Sequence, residues 1–181
     1  MKKILLIVAD GFEEIEALGT ADVLRRLGFQ VVIAALKPGA VTGAHNMQIV
    51  PDTDLDKVKN EEFAAVILPG GMPGAANLDA DANVDKILRH AAESGAVIAA
   101  ICAAPFVLAK RGLLAGRIFT MYPGFDSELG GLKYTANPAE ISGNIVTGKG
   151  PGAVFAFARA VAESLGAAKE CEKLYQGMFI Q

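Results

Sequence analysis

The chain has 181 residues, of which 52% are apolar and 20% charged, and its mean hydropathy is +0.35. Because domains average about 150 residues, this length predicts a single domain over residues 1–181. The apolar content excludes a disordered chain. A net charge of −3, with no basic stripe, argues against a nucleic-acid partner.

The apolar runs are too short for a membrane protein. Runs such as residues 4–9 and 97–105 fall far short of the about 20 residues that a membrane-spanning helix needs. Acidic residues follow the first run, where a signal peptide would have its cleavage site, so we interpret it as a strand. The chain has only two cysteines, Cys102 and Cys171, and such a low cysteine content is typical of proteins in a reducing compartment. We expect a soluble, cytoplasmic protein with no membrane partner.

Short apolar blocks alternate with helical stretches along the chain. Blocks without polar alternation are typical of parallel strands buried on both faces. The predicted strands are 4–8, 31–35, 64–68, 97–101, 118–120 and 145–147, and the predicted helices are 13–27, 81–94, 105–111 and 152–165. Residues 38–51 predict a small hairpin at one edge. The pattern predicts an α/β fold, a three-layer sandwich with a mostly parallel central sheet and helices on both faces.

Cys102 stands where the predicted strand 97–101 meets a helix with Pro105 in its first turn. Chemistry in such sheets gathers at the carboxyl ends of the strands. Free N–H groups and the positive end of the helix dipole favour a thiolate there. Cys102 is therefore a candidate nucleophile. The alternative is a small buried hydrophobic residue that ends a strand.

Two further strand ends carry candidate site residues. Gly70 and Gly71 follow the third predicted strand, and paired glycines allow backbone N–H groups to surround a negative charge; an ordinary turn is the alternative. Glu13, Glu14 and Glu16 begin the first helix, where the dipole stabilises carboxylates in any case. If Glu16 is buried beside a sulfur atom, it would keep its proton and donate a hydrogen bond.

Nucleotide and metal sites are not predicted. Residues 143–150 nearly match a phosphate-binding loop, but Gly150 stands where a magnesium-binding hydroxyl is needed. We instead expect Gly150 and Pro151 to line the pocket at the strand ends. The only histidines, His45 and His90, have no Cys or His at ligand spacing. The sequence therefore predicts no metal and no cofactor.

Four motifs in fixed order carry a resemblance to a known family. They are DGFEEIE at 10–16, LPGG at 68–71 followed by GAANL at 74–78, AAICAAP at 99–105 and GKGPG at 148–152. Over nearly its whole length the chain resembles the ThiJ/PfpI superfamily, in the branch of the parkinsonism-associated deglycase and its bacterial ThiJ-type relatives. The resemblance implies a flavodoxin-like sandwich, a homodimer, Cys102 as the reactive cysteine, Glu16 as its protonated partner, and amides of Gly71 and Ala103 around the sulfur.

Several positions depart from the family pattern. Ala103 stands where the protease-like branch has a histidine base, so peptide hydrolysis is not expected. Tyr122 stands where the animal deglycase has a histidine, and a phenol is a weak proton acceptor at neutral pH. His45 and Lys149 fall about where that relative has arginines, which would place positive charge near the pocket.

Three functions remain open at this point. In the first, Cys102 adds to a small reactive carbonyl such as methylglyoxal, or to its adduct on a protein amine, and Glu16 shuttles protons until water releases a hydroxy acid. The substrate class comes from the resemblance. In the second, Cys102 is a redox sensor that is oxidised to a sulfinate. The third is a holding chaperone, for which the sequence shows no specific feature. Cys171, in an amphipathic last helix, is expected to be structural.

Overall fold

The computed structural model describes residues 2–180, so Met1 and Gln181, the two ends of the predicted domain, lie outside the described part. The strands are β1 (Lys3–Val8), β2 (Gln30–Ala35), β3 (Val41–Thr42), β4 (Gln48–Ile49), β5 (Thr53–Asp54), β6 (Ala65–Leu68), β7 (Val97–Ile101), β8 (Ala139–Ser142) and β9 (Ile145–Gly148). The helices are α1 (Glu14–Arg26), α2 (Leu55–Val58), α3 (Gly74–Ala80), α4 (Ala82–Ser94), α5 (Pro105–Lys110), α6 (Val154–Ser164) and α7 (Ala168–Gly177).

The described strands form one main sheet with the order β5-β2-β1-β6-β7-β9-β8. Neighbouring strands run parallel, except that β8 pairs antiparallel with β9. The predicted edge hairpin is the separate antiparallel pair β3–β4. The prediction of a mostly parallel sheet surrounded by helices is confirmed.

Strand β1 shows why the apolar runs are continuous. Ile4, Leu6 and Val8 belong to the core cluster that includes residues of α1, α6 and α7. Leu5 and Ile7 belong to the cluster on the other face, with residues of α2 to α5. All five side chains are fully buried, because successive residues of a strand face opposite sides of the sheet. No helix in residues 2–180 is long and apolar enough to span a membrane.

Helix α4 illustrates how local signals set the helix ends. Its N-cap, Asp81, accepts hydrogen bonds from the N–H groups of Asn83 and Val84, at 2.8 and 3.0 Å. The helix stops at Gly95, whose φ of +74° is the left-handed conformation that glycine adopts at low cost. The predicted helix 81–94 therefore ends where the sequence analysis placed its end.

The predicted strand at 118–120 is wrong. Thr120 forms only an isolated bridge with Thr135, and Ile118 is 62% exposed, so one of the three apolar-looking positions faces away from the core. Sequence reasoning also missed α3. Its buried residues are Gly74, Ala75 and Leu78, so it carries one large apolar side chain and gives little helical periodicity.

Arg111 ties the end of α5 to α3. Its side chain is 8% exposed and its guanidinium donates to Asp79 Oδ1 at 2.7 Å and to the Asp79 carbonyl at 3.0 Å. The same group also donates to the Val107 carbonyl at 2.8 Å. Because α5 directly follows the Cys102 segment, this contact fixes the helix on which the candidate nucleophile depends.

Replacing Arg111 with methionine should lower the free energy of unfolding by about 2 kcal/mol, because its hydrogen bonds to the Asp79 and Val107 carbonyls are lost and Asp79 keeps only the partly exposed Lys110 as a cationic partner. Urea unfolding measures the change. Arg26→Met is the matched control: its side chain is 52% exposed and pairs with Asp22, so its loss should stay within about 0.5 kcal/mol. Equal small losses in both variants would contradict a structural role for Arg111.

Candidate active site

The carboxyl ends of four neighbouring strands meet at one edge of the sheet. β1, β6, β7 and β9 are adjacent and parallel. The segments that follow them contain the motifs at 10–16, 69–74, 102–105 and 148–152. The topology therefore brings together residues that are far apart in the chain.

Cys102 occupies the junction between β7 and α5 with a φ of +64°, a left-handed conformation that costs a side-chain-bearing residue about 1 kcal/mol. Backbone hydrogen bonds hold it there on both sides. Its N–H donates to the Gly148 carbonyl at 2.9 Å, and its carbonyl accepts from the Tyr122 N–H at 2.9 Å. The residue is 9% exposed. This geometry turns the side chain out of the strand direction and toward the β6 turn.

Gly70 is the point at which the site residues converge. A Cβ atom placed on Gly70 would lie 2.7 Å from Cys102 Cβ, 2.8 Å from Glu16 Oε2 and 3.0 Å from the Ala103 nitrogen. Real Cβ atoms do not approach neighbours so closely, so glycine is needed here. The Gly70 N–H donates to Glu16 Oε2 at 2.8 Å. Because Gly70 has no side chain, the Glu16 carboxyl and the Cys102 side chain can both lie against it.

Glu16 is almost completely buried, with 1% of its surface exposed. Oε1 has no hydrogen-bonding nitrogen or oxygen partner in the described residues, and the Cys102 thiol is the polar side chain beside the carboxyl. Burial raises the pKa of Glu16 from 4.5 to about 7, although hydrogen bonds with Cys102 and the Gly70 N–H act in the opposite direction. A large fraction of Glu16 is therefore protonated near neutral pH.

Cys102 is coupled to this carboxyl. Burial and the negative charge of an ionised Glu16 raise the pKa of the thiol, while hydrogen bonds from the Ala103 and Gly71 N–H groups lower it. A proton on Glu16 removes the repulsion, so the two groups titrate as a pair. The net effect leaves the pKa of the Cys102 thiol well above its ordinary value. The sequence-based expectation of a lowered thiol pKa is therefore wrong, because it omitted burial. It also relied on the dipole of α5, which is only six residues long.

His45 does not pair with the sulfur. Its ring Nδ1 lies 2.8 Å from Glu14 Oε2, and its backbone N–H donates to Glu14 Oε1 at 2.7 Å. Burial raises the pKa of Glu14, but its hydrogen bonds with His45 outweigh this effect and leave the pKa below its usual value. The same contact raises the pKa of His45. Sequence reasoning missed the role of Glu14 as the anchor of the β3–β4 turn, because nothing local to residues 14 or 45 signals the contact.

The remaining predicted pocket residues lie on the β9 side. A Cβ atom on Gly150 would lie 3.2 Å from Cδ2 of Tyr122, so the half-exposed tyrosine ring lies against this glycine. Pro151 begins a short 3₁₀ turn that leads into α6. The ammonium group of Lys149 donates to the Ala136 carbonyl at 3.2 Å. The side chains of His45 and Lys149, which were expected to place positive charge near the pocket, bond instead to Glu14 and to the Ala136 carbonyl.

Sequence reasoning also missed a threonine pair that positions the Tyr122 segment. Thr120 and Thr147 are both buried, and the Thr120 N–H donates to Thr147 Oγ1 at 2.9 Å. The Thr120 hydroxyl donates to the Asn137 carbonyl at 2.8 Å. Isolated threonines in strand-like segments give no signal for such a contact.

Comparison with known proteins identifies the family. The pattern of the DJ-1/PfpI family matches residues 2–164. The chain belongs to this family. It is 39% identical over 163 residues to the glutathione-independent glyoxalase DJR-1.2 of Caenorhabditis elegans, covering 90% of this chain and 87% of the relative. It is 33% identical over 160 residues to deglycase PH1704 of Pyrococcus horikoshii, covering 87% and 95%.

A solved structure is similar over the full length. It is that of a variant of the DJ-1 superfamily protein STM1931 from Salmonella typhimurium, with a TM-score of 0.94, 34% identity and coverage of 100% of both chains. The resemblance read from the four motifs is confirmed at the level of the family and the fold.

The raised pKa of Glu16 makes stability depend on pH in a defined direction. Between pH 4.5 and about 7, the folded protein holds a proton that the unfolded chain has lost. The free energy of unfolding should therefore fall as pH rises through this window, by up to about 3 kcal/mol. Glu16→Gln should lack this dependence, as measured by urea unfolding of both proteins across the window. Exposed Glu62→Gln, the control, should retain it; parallel curves for all three proteins would show that Glu16 has an ordinary pKa.

Proposed function

We propose that this protein is a cofactor-independent enzyme that acts on small reactive carbonyls, in the manner of a glyoxalase or deglycase, and so contributes to protection against stress. The observation that carries the proposal is the grouping of Cys102 with Glu16 and with the N–H groups of Gly71 and Ala103. Names of two relatives, a glyoxalase and a deglycase, support the substrate class.

The first step is addition to the carbonyl. The reactive form of the pair has its one proton on Glu16 and a thiolate at Cys102. The thiolate sulfur forms a bond with the aldehyde carbon of methylglyoxal, and the carbonyl electron pair moves to oxygen. The N–H groups of Gly71 and Ala103, which face the sulfur, are placed to stabilise the negative charge. The protonated carboxyl of Glu16 supplies the proton that gives the neutral hemithioacetal. The same addition to a glycated amine adduct would begin its repair.

The second stage is an internal rearrangement followed by hydrolysis. The carboxylate of Glu16 accepts the proton from the carbon bonded to sulfur, and a proton returns to the neighbouring carbon, so that the hemithioacetal becomes a thioester. Water then cleaves the carbon–sulfur bond, releasing lactate and the Cys102 thiol. The sum is methylglyoxal plus water to lactate, with no external oxidant or reductant. A carboxyl with a pKa of about 7 serves both as proton donor and as acceptor near neutral pH.

The surroundings of the sulfur favour small substrates. Cys102 is only 9% exposed, so a bulky acyl group would not reach it. Tyr122, Gly150 and Pro151 are proposed to wall the entrance, and the aromatic ring of Tyr122 leaves less open space there than a small side chain would. Ala103 carries no base for peptide hydrolysis, so a protease function is not proposed.

A homodimer is part of the proposal. Helices α1 and α6 pack together, with Gly19 against Val154. Ile15 and Leu18 on α1 and Phe155 on α6 are large apolar side chains that remain exposed. Exposed apolar side chains on adjoining elements are typical of a surface that a second copy covers. A cytoplasmic location is likewise retained as a proposal.

Cys102→Ser should lower kcat/KM for lactate formation from methylglyoxal by at least about 100-fold, because the nucleophile is lost. Glu16→Gln should lower it by about 100-fold or more, because the proton shuttle is lost. Cys171→Ala, the control at the other cysteine, should keep nearly full activity. Unchanged lactate formation by Cys102→Ser would exclude this mechanism, provided that circular dichroism shows a folded variant.

A second candidate function, redox sensing, uses the same sulfur. Peroxide would transfer oxygen atoms to Cys102 and leave as water, giving first a sulfenate and then a sulfinate. The unpartnered Oε1 of Glu16 and the N–H groups of Gly71 and Ala103 lie where they would bind sulfinate oxygens. This arrangement favours oxidation that stops at the sulfinate.

Mild peroxide should therefore add two oxygen atoms to the peptide that contains Cys102, as measured by mass spectrometry, and none to the peptide that contains Cys171. Glu16→Gln should decrease the yield of the sulfinate, because the protonated partner is changed. The exposed Met47 and Met72 provide an internal control for non-selective oxidation. Oxidation of these methionines with Cys102 unchanged would count against sensing.

A further inference from the structure

Glu13, Glu14 and His45 form a cluster of metal-ligand side chains at the start of α1. One donor atom from each residue lies within 4.8 Å of those of the other two. His45 Nδ1 is 2.8 Å from Glu14 Oε2 and 4.0 Å from Glu13 Oε1. The three residues are distant in the chain from Cys102, and none takes part in the proposed carbonyl chemistry. Their sequence spacing matches no metal motif, so only the fold reveals the cluster.

Glu13 has one carboxylate oxygen that is open to a ligand. Its side chain is 8% exposed, and its Oε2 accepts the N–H of Glu16 at 2.7 Å as the cap of α1. Its Oε1 points toward His45, yet no N–H or O–H group of residues 2–180 donates to it. Glu13 Oε1 is not one of the fully enclosed polar atoms that lack a hydrogen-bond partner, so it reaches the surface beside His45. It is therefore available to a ligand that carries positive charge.

The charges around the cluster also favour the binding of a cation. In the described part of the chain no Lys or Arg nitrogen lies within 4.0 Å of Glu13 or Glu14, and His45 is the one group that forms an ion pair with them. The dipole of α1 stabilises each carboxylate by only about 0.3–1 kcal/mol. Two buried carboxylates facing one exposed imidazole thus carry an excess of negative charge.

We propose that Glu13, Glu14 and His45 bind a divalent cation of the zinc type. An imidazole and two carboxylates suit Zn²⁺ better than Mg²⁺ or Ca²⁺, which prefer sites made of oxygen alone. Two ligand atoms at about 2.1 Å from a tetrahedral Zn²⁺ lie about 3.4 Å apart. The separations of 2.8 and 4.0 Å from His45 Nδ1 lie on either side of this value.

The approach of the ion requires only a small movement of the imidazole. His45 lies in the turn between β3 and β4, and its side chain is 65% exposed. Nδ1 releases its proton to solvent and binds the metal through the lone pair, while Glu14 Oε2 exchanges its hydrogen bond with His45 for a metal bond. Water completes the coordination. The bound ion would then hold the β3–β4 turn on α1.

Calorimetric titration with Zn²⁺ tests the proposal in a Cys102→Ser background, which removes the reactive thiol as a competing ligand. We expect one equivalent of Zn²⁺ per chain. Adding His45→Asn should weaken the affinity at least about 10-fold, and adding Glu13→Gln should weaken it similarly. His90→Asn, at the other histidine on the exposed face of α4, is the matched control and should leave the affinity unchanged.

Co²⁺ provides a spectroscopic measurement on the same proteins. The expected visible absorption of bound Co²⁺ should persist in Cys102→Ser and disappear with His45→Asn, whose exposed position makes misfolding no concern. Binding that is lost in Cys102→Ser alone, or that His45→Asn leaves intact, would overturn the proposal. Neither result depends on methylglyoxal turnover, so failure of the metal site and failure of the proposed enzyme are separate outcomes.

Discussion

Cys102 is held in a left-handed conformation at the end of β7, and the arrangement of the site depends on this constraint. Its backbone is fixed by Gly148 on one side and Tyr122 on the other. Each such hydrogen bond contributes about 1 kcal/mol, enough together to offset the strain. The backbone at 102 thereby directs the side chain toward Gly70, where the missing Cβ leaves room for Glu16. A conventional strand geometry at 102 would point the sulfur into one of the two cores instead.

Burial controls the ionisation of the Glu16 carboxyl and the Cys102 thiol. A carboxyl and a thiol that share a nearly dry space cannot both be ionised at low cost. The pair therefore keeps a proton near neutral pH. The Gly71 and Ala103 N–H groups stabilise the sulfur anion, and this favours the form in which the proton is on Glu16. The same shared proton serves the two functions proposed for the sulfur, carbonyl addition and controlled oxidation. His45 and Lys149 bond to Glu14 and to the Ala136 carbonyl, and their charges play no part in the chemistry proposed for the sulfur.

The sequence predicts the scaffold well because its signals are local. Continuous apolar blocks identify the central strands, and the motifs that follow them identify the edge at which Cys102, Glu16 and Gly70 meet. Predictions fail where the outcome depends on distant contacts. The segment at 118–120 looks like a strand but lacks a continuous partner, and the link between His45 and Glu14 spans 31 positions. The raised pKa values follow from burial, which no single motif encodes.

A pH titration followed by carbon-13 NMR of the Glu16 carboxyl carbon measures whether this buried group keeps its proton near neutral pH. The carboxyl signal would be assigned by its loss in Glu16→Gln. We expect a midpoint near pH 7, because the buried carboxyl keeps its proton beside the sulfur. A midpoint near the ordinary value of 4.5 would contradict it, since Glu16 would then be an anion at neutral pH and could not protonate the adduct on Cys102.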